Sequence, residues 1–206
     1  MRLPLLAADP SPVLPILTAL RDDPEEYVRR SVANHLNDIA KDHPDLVGVI
    51  ASEWMRDADT NRMRLVRHAC RTLVKEGHPG ALAAFGLKPP EVEVHPLSIL
   101  TPQVAFGGSL KFSATIRSTA DEPQDLVVDY VLHLRKANGR LAPKVFKWKR
   151  FTLGPREVRT DDRSHAIRPI TTRRCYSGIQ ELSLRINGRD FGQAEFELLI
   201  PDDAAG

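Results

Sequence analysis

In the run VRRSVANHLNDIAK, residues 28–41, Arg30, Asn34, Asp38 and Lys41 recur at three- and four-residue intervals. That spacing sets them on one stripe of a helix, with Tyr27 and Asn37 alongside, while Val28, Val32, Leu36 and Ile39 form the opposing apolar stripe. Asn34, Asn37 and Asp38 are poor interior helix formers, because their short polar side chains compete for nearby backbone groups. Grouping them therefore calls for a reason beyond helix propensity. A second helical run presents Arg64, His68, Arg71 and Lys75 in the same manner, with Arg67 beside them. Cations from two neighbouring helices would line one surface, and Lys and Arg contacts to phosphate position a nucleic acid. The plainer alternative is a solvated charged face, with Asp38 a salt-bridge partner among cations.

The second half of the chain has cationic signals of its own. In PKVFKWKRF, Lys144, Phe146, Trp148 and Arg150 alternate with Val145, Lys147, Lys149 and Phe151. In RPITTRRCYSG, Arg173, Arg174 and Tyr176 fall in a loop before a strand. Basic residues with aromatics interleaved suit a nucleic-acid backbone together with sugar or base stacking. An edge strand protected by lysines explains the first of these equally well. His35, His43 and His68 have no metal-ligand spacing with Cys70 or Cys175, so no metal site is expected. No phosphate-binding loop, dinucleotide glycine fingerprint or serine elbow occurs, and no cofactor is expected.

The elements that must hold these residues change character along the 206-residue chain. Composition is that of a globular protein, 42% hydrophobic and 27% charged, with a net charge of only +2. Two distant cysteines do not make a disulfide framework and suit a reducing cytoplasm. The N-terminal MRLPLLAADPSP lacks a signal-peptide pattern, no stretch reaches the roughly 20 apolar residues of a membrane span, and a cytoplasmic location is expected. Residues 1–88 read as helices: Asp23 is a candidate N-cap before Pro24, Pro44 stops the helix of the opening stripe, and Gly77 ends a later one. Val28-Arg29-Arg30 echoes as Val66-Arg67-His68, and His43-Pro44 as His78-Pro79, roughly 35 to 38 residues apart, which points to HEAT-like solenoid repeats. Residues 89–97 read as a Pro-rich linker. Beyond it the period becomes 2, in Leu110–Ile116, Leu126–Leu134 and Leu182–Ile186, and Asn187-Gly188 supplies a type I′ hairpin turn. About seven short strands in roughly 105 residues, 98–206, have the size of an immunoglobulin-like sandwich, here without its Cys–Trp–Cys pattern.

The runs DDPEEYVRRSVANHLNDIAKDHPDLV and RLVRHACRTLVKEGHPGALAAFG closely resemble the DNA alkylation repair glycosylases of the AlkC type, HEAT-like repeats followed by an Ig-like domain. VVDYVLHLRKANGRLAPKVFKWKRFTL and HAIRPITTRRCYSGIQELSLRINGRDFG resemble the Ig-like part, so the resemblance spans essentially the whole chain. It implies excision of cationic N3-methylated bases, 3-methyladenine and 3-methylcytosine, from double-stranded DNA without base flipping, which departs from the usual glycosylase strategy. A cationic base is already a good leaving group, so the enzyme chiefly needs a carboxylate to stabilise the oxocarbenium-like sugar and orient a water. The family motif places that carboxylate at Asp38, with Arg30 and Asn34 holding the strand or the carboxylate. It extends the expected DNA-binding set to Lys41, Arg67, His68, Arg71 and Lys75, and to Lys144, Lys147, Trp148, Lys149, Arg173, Arg174 and Tyr176 of the Ig-like part. In the family, further repeats precede this region and end in an RPRLPW-like sequence; here Leu5 stands where its tryptophan would fall. The expectation is therefore a chain lacking the N-terminal repeats, with part of the active site missing and an apolar solenoid end that invites self-association. A non-catalytic DNA-binding module and a protein-interaction solenoid with an Ig-like appendage are the alternatives.

Overall fold

The computed structural model describes residues 4–168 and 175–201. The chain divides into two compact units, Met1–Lys88 and Pro89–Gly206. None of the described helices is long and apolar enough to cross a membrane.

The first unit consists of α1 (Pro4–Ala8), a 3-10 turn at Ser11–Val13, α2 (Leu14–Leu20), α3 (Glu26–Ile39), α4 (Pro44–Trp54), α5 (Thr60–Ala69), α6 (Arg71–Glu76) and α7 (Pro79–Ala84). α3 packs against α5, and α4 against α7. Val32, Leu36 and Ile39 of α3 meet Leu65, Val66 and Ala69 of α5 and Trp54 of α4 in a single core. The α4–α7 contact is close because glycines face each other: a Cβ on Gly48 would lie 3.3 Å from His78 Cε1 and 3.4 Å from the Gly80 backbone.

Two boundaries differ from the sequence reading. α3 begins at Glu26 with Glu25 as its N-cap, and the Asp23 carboxylate instead accepts the Glu25 N–H at 2.8 Å, closing a turn just ahead of the helix. The helix expected through residue 76 divides at Cys70, whose φ of −88° and ψ of 7° lie outside the helical range. Gly77 ends α6 in the left-handed region at φ 78°, a conformation glycine adopts without the Cβ clash of other residues.

The second unit is a sandwich of two sheets. Its strands are β1 (Val92–Val94), β2 (Ser98–Ile99), β3 (Gln103–Ala105), β4 (Ser109–Ser118), β5 (Gln124–Arg135), β6 (Leu141–Leu153), β7 (Val158–Ala166), β8 (Gly178–Ile186) and β9 (Arg189–Leu199). In one sheet β4 pairs with β7 on one side and with β1 and β2, end to end, on the other. The second runs β3-β9-β8-β5-β6, with β3 parallel to β9. The alternating residues Leu110, Phe112 and Ile116 of one sheet and Leu126, Tyr130, Leu182 and Leu184 of the other interdigitate in its core. Asn187 (φ 43°) and Gly188 (φ 78°) form the two-residue β8–β9 turn with both residues at positive φ, as a type I′ turn requires. The expected linker is corrected: Val92–Val94 is a strand paired with Ile116–Ser118, because the open edge of β4 supplies hydrogen bonds to a segment too short to show a period of its own.

Candidate nucleic-acid interface

The polar stripe of α3 is exposed at Arg30, Asn34, Asp38 and Lys41, and Tyr27 beside it is 81% exposed. Asn37 is a correction to that stripe: it is buried and accepts the Thr72 hydroxyl at 2.9 Å, a cross-brace between α3 and α6. Asn34 joins three elements. Its Oδ1 lies 2.9 Å from His68 Nε2 of α5 and accepts from Arg71 Nη2 of α6 at 3.3 Å, while Arg71 Nη1 donates to the His68 carbonyl at 2.6 Å. An oxygen that already accepts from Arg71 can only accept again, so His68 carries its proton on Nε2. Burial, then the positive charges of Arg71 and Arg30, hold the His68 pKa below the ordinary histidine value and keep the ring neutral.

Asp38 accepts a charged hydrogen bond from Lys41 Nζ at 2.6 Å, with its side chain 67% exposed. Lys41 is the main reason its pKa lies below the ordinary aspartate value; slight burial opposes this, and His35 and Arg71 add smaller pulls. The result is an accessible carboxylate whose ionised form is favoured by the Lys41 ammonium bound to it. Arg67 and Lys75 are also exposed. Between α3 and α5 lies a cleft of about 170 Å³ lined by Arg29, Arg30, Asn61, Arg64 and His68, with Glu26 its one carboxylate. Of these, Arg29 and Asn61 were not visible as site residues from sequence spacing. Arg29 sits between the two stripes, and its role depends on a turn held ahead of the helix.

The basic strand is β6, at the edge of the five-stranded sheet. Two of its residues have partners within the sandwich. Trp148 packs inward, partly buried, with its ring centroid 5.3 Å from that of Phe112 in an edge-on contact, because the outer strand of the sandwich must still cover the core. Lys149 is bound to the Asp161 carboxylate of β7, which Arg159 also engages at 2.8 Å, so it is tied to a protein partner and only partly compensated. Lys147 is exposed, and Lys144 Nζ lies 5.1 Å from the Phe146 ring centroid. Lys144 and the half-buried Tyr176 line, with Arg135 and Lys136, an open hollow of about 410 Å³. Arg173 and Arg174 lie outside the described residues. No local pattern signals the inter-sheet cluster in which Tyr130 Oη lies 2.6 Å from His165 Nδ1, with the Arg163 guanidinium carbon 5.7 Å from the tyrosine ring centroid. That cluster is built from strands far apart in the chain.

Residues 93–200 match the family model described as uncharacterised protein YhaZ, C-terminal Ig-like domain. The chain is 38% identical over 197 residues to the uncharacterised protein YhaZ of Bacillus subtilis, covering 95% of this chain and 54% of YhaZ. Its fold matches that of the Pseudomonas fluorescens alkylpurine DNA glycosylase AlkC, solved bound to DNA containing an abasic site analogue, with a TM-score of 0.90 and 40% identity, over 97% of this chain and 55% of that one. The chain thus spans about half the length of the relatives it matches. Helices followed by an Ig-like sandwich, matched across both units, place the chain in the YhaZ family of AlkC-type proteins.

Proposed function

We propose that this chain acts in DNA alkylation repair, binding double-stranded DNA and hydrolysing the N-glycosidic bond of cationic N3-methylated bases. The observation that carries this reading is the near-complete match, at 40% identity, to an alkylpurine DNA glycosylase solved on DNA. The two packed helix layers are read in the same light as HEAT-like repeats presenting α3 to the duplex, and the protein as cytoplasmic. Asp38 is the proposed catalytic carboxylate. Its ionised, exposed state suits stabilisation of a positively charged sugar, and the cations around it suit the flanking phosphates. Excision would need no proton delivered to the base, because a methylated base leaves as a neutral species.

The test is release of 3-methyladenine and 3-methylcytosine from methylated duplex DNA by the chain and by Asp38→Asn. Release reduced on the order of 10²–10³-fold in the variant, with DNA affinity retained, supports the assignment. Salt-dependent DNA binding with no release by the wild-type chain would instead identify a binding module. Absence of DNA binding at low salt would overturn both.

A further inference from the structure

The cleft between α3 and α5 gathers three guanidinium groups against one carboxylate. Like charges held together in a concave, partly desolvated site repel one another and focus positive potential outward. Local pairing does little to relieve this. Arg29 Nη1 donates to the carbonyls of Asp23 and Pro24, at 2.6 and 2.7 Å, neutral acceptors that fix the group and leave its charge uncompensated. Arg30 approaches Glu26 only at 3.6 Å, with both side chains largely exposed, a weak pair that a stronger anion displaces. Arg64 has no hydrogen-bond or ion-pair partner among the described residues. His68 adds a wall whose ring is held by Asn34, and Asn61 adds an amide that can donate. Planar guanidinium forks match the oxygens of phosphate, and arginines brought from two helices can grip one such group from opposite sides.

We propose that this cleft is a phosphate subsite that takes the phosphodiester of one nucleotide of a DNA strand, with Arg30 and Arg64 donating to its oxygens and Arg29 supplying fixed positive charge beside them. The inference rests on the DNA-binding reading above and adds which phosphate is gripped. Arg30 and Asp38 are about two turns apart on α3, roughly 12 Å. The phosphate in the cleft therefore belongs to a nucleotide displaced from the one that faces Asp38.

The test is a methylphosphonate scan, in which single uncharged linkages are placed along a duplex containing an abasic-site analogue and affinity for the full chain is read by fluorescence anisotropy. One linkage, displaced from the abasic position, is expected to weaken wild-type binding about tenfold. The same linkage is expected to cost Arg64→Gln clearly less than it costs the wild type, since the variant has already lost one of the two donors to that phosphate. Arg64→Lys should recover part of the affinity, and because Arg64 is exposed, the melting temperature should not move. If Arg64→Gln and Arg30→Gln bind as the wild type does, or if every linkage weakens wild type and variants alike, the subsite does not exist, while the DNA-repair reading stands. If the wild-type chain binds no DNA at low salt, the DNA reading fails, and inorganic phosphate becomes the probe. A phosphate-dependent NMR shift of the Arg64 Nε–H, absent at Arg156, then supports an anion subsite, and no shift overturns it.

Discussion

Neighbouring cations help lower the pKa values of both Asp38 and His68, which favours the charged form of one and the neutral form of the other. For Asp38 the folded pKa is lowered, and the carboxylate is lost only as pH falls through a value below the ordinary aspartate range. Base release should therefore have no acid limb near neutrality that belongs to Asp38. Lys41→Ala removes the largest lowering influence, and the acid limb of single-turnover release at saturating DNA should move to higher pH. An unmoved limb would dissociate Asp38 from the chemistry. For His68, burial and the neighbouring arginines disfavour the charged form. Its folded pKa is thus below its unfolded value of about 6.5. Its contribution to stability is fully present above about pH 6.5 and declines as pH falls through that value, because the unfolded chain takes up the proton first. Nitrogen NMR should find a neutral Nε2–H ring at pH 7, and His68→Gln should flatten the acid-side loss of urea stability in the helical unit.

At the scale of single elements, β6 illustrates how one strand divides its side chains between packing and binding. Trp148 contacts Phe112 and Tyr130, so Trp148→Ala should destabilise the sandwich by about 2–4 kcal/mol in denaturant melts, without changing the salt dependence of DNA binding. Lys147 is exposed, so Lys147→Gln should leave stability within about 0.5 kcal/mol and lower the log–log salt slope by about one unit if it contacts a phosphate. The reverse pattern would return Trp148 to the DNA surface. Period 2 is local and made β6 legible as a strand, but Phe146, Trp148, Phe151 and Leu153 all meet the core, so the alternation changes phase within the strand. Between β5 and β6 the register shifts, Val128 opposing Lys149 and Asp129 opposing Lys147, so that Trp148 is the extra residue of β6. A bulge of that kind comes from cross-strand pairing and leaves little mark on composition.

For the molecule as a whole, the two units have separate cores with no residue in common. Leu36→Ala and Leu184→Ala remove fully packed side chains from one core each. Each should cost about 2–5 kcal/mol. Hydrogen exchange should accelerate in residues 4–88 for the first and in the sandwich for the second. Exchange that accelerated across both units in either variant would mean that they unfold as one.

The change of hydrophobic period near residue 90, the helix stop at Gly77 and the Asn187-Gly188 turn were all readable from the sequence. Each is set by interactions within a few residues of chain, where backbone sterics and side-chain periodicity act directly. The resemblance to AlkC-type proteins was readable too, because it is spread over the whole length. Tertiary structure alone decided that Asn34 holds His68 and Arg71 while its neighbour Asn37 is buried against Thr72, two fates for the same residue type one turn apart on α3. It alone decided that Lys149 and Arg159 share the Asp161 carboxylate, and that Arg29, Arg30 and Arg64 share a cleft. A side chain's charge and exposure in the folded state depend on what the packed partner element places opposite it, and helical or strand period carries no information about that partner.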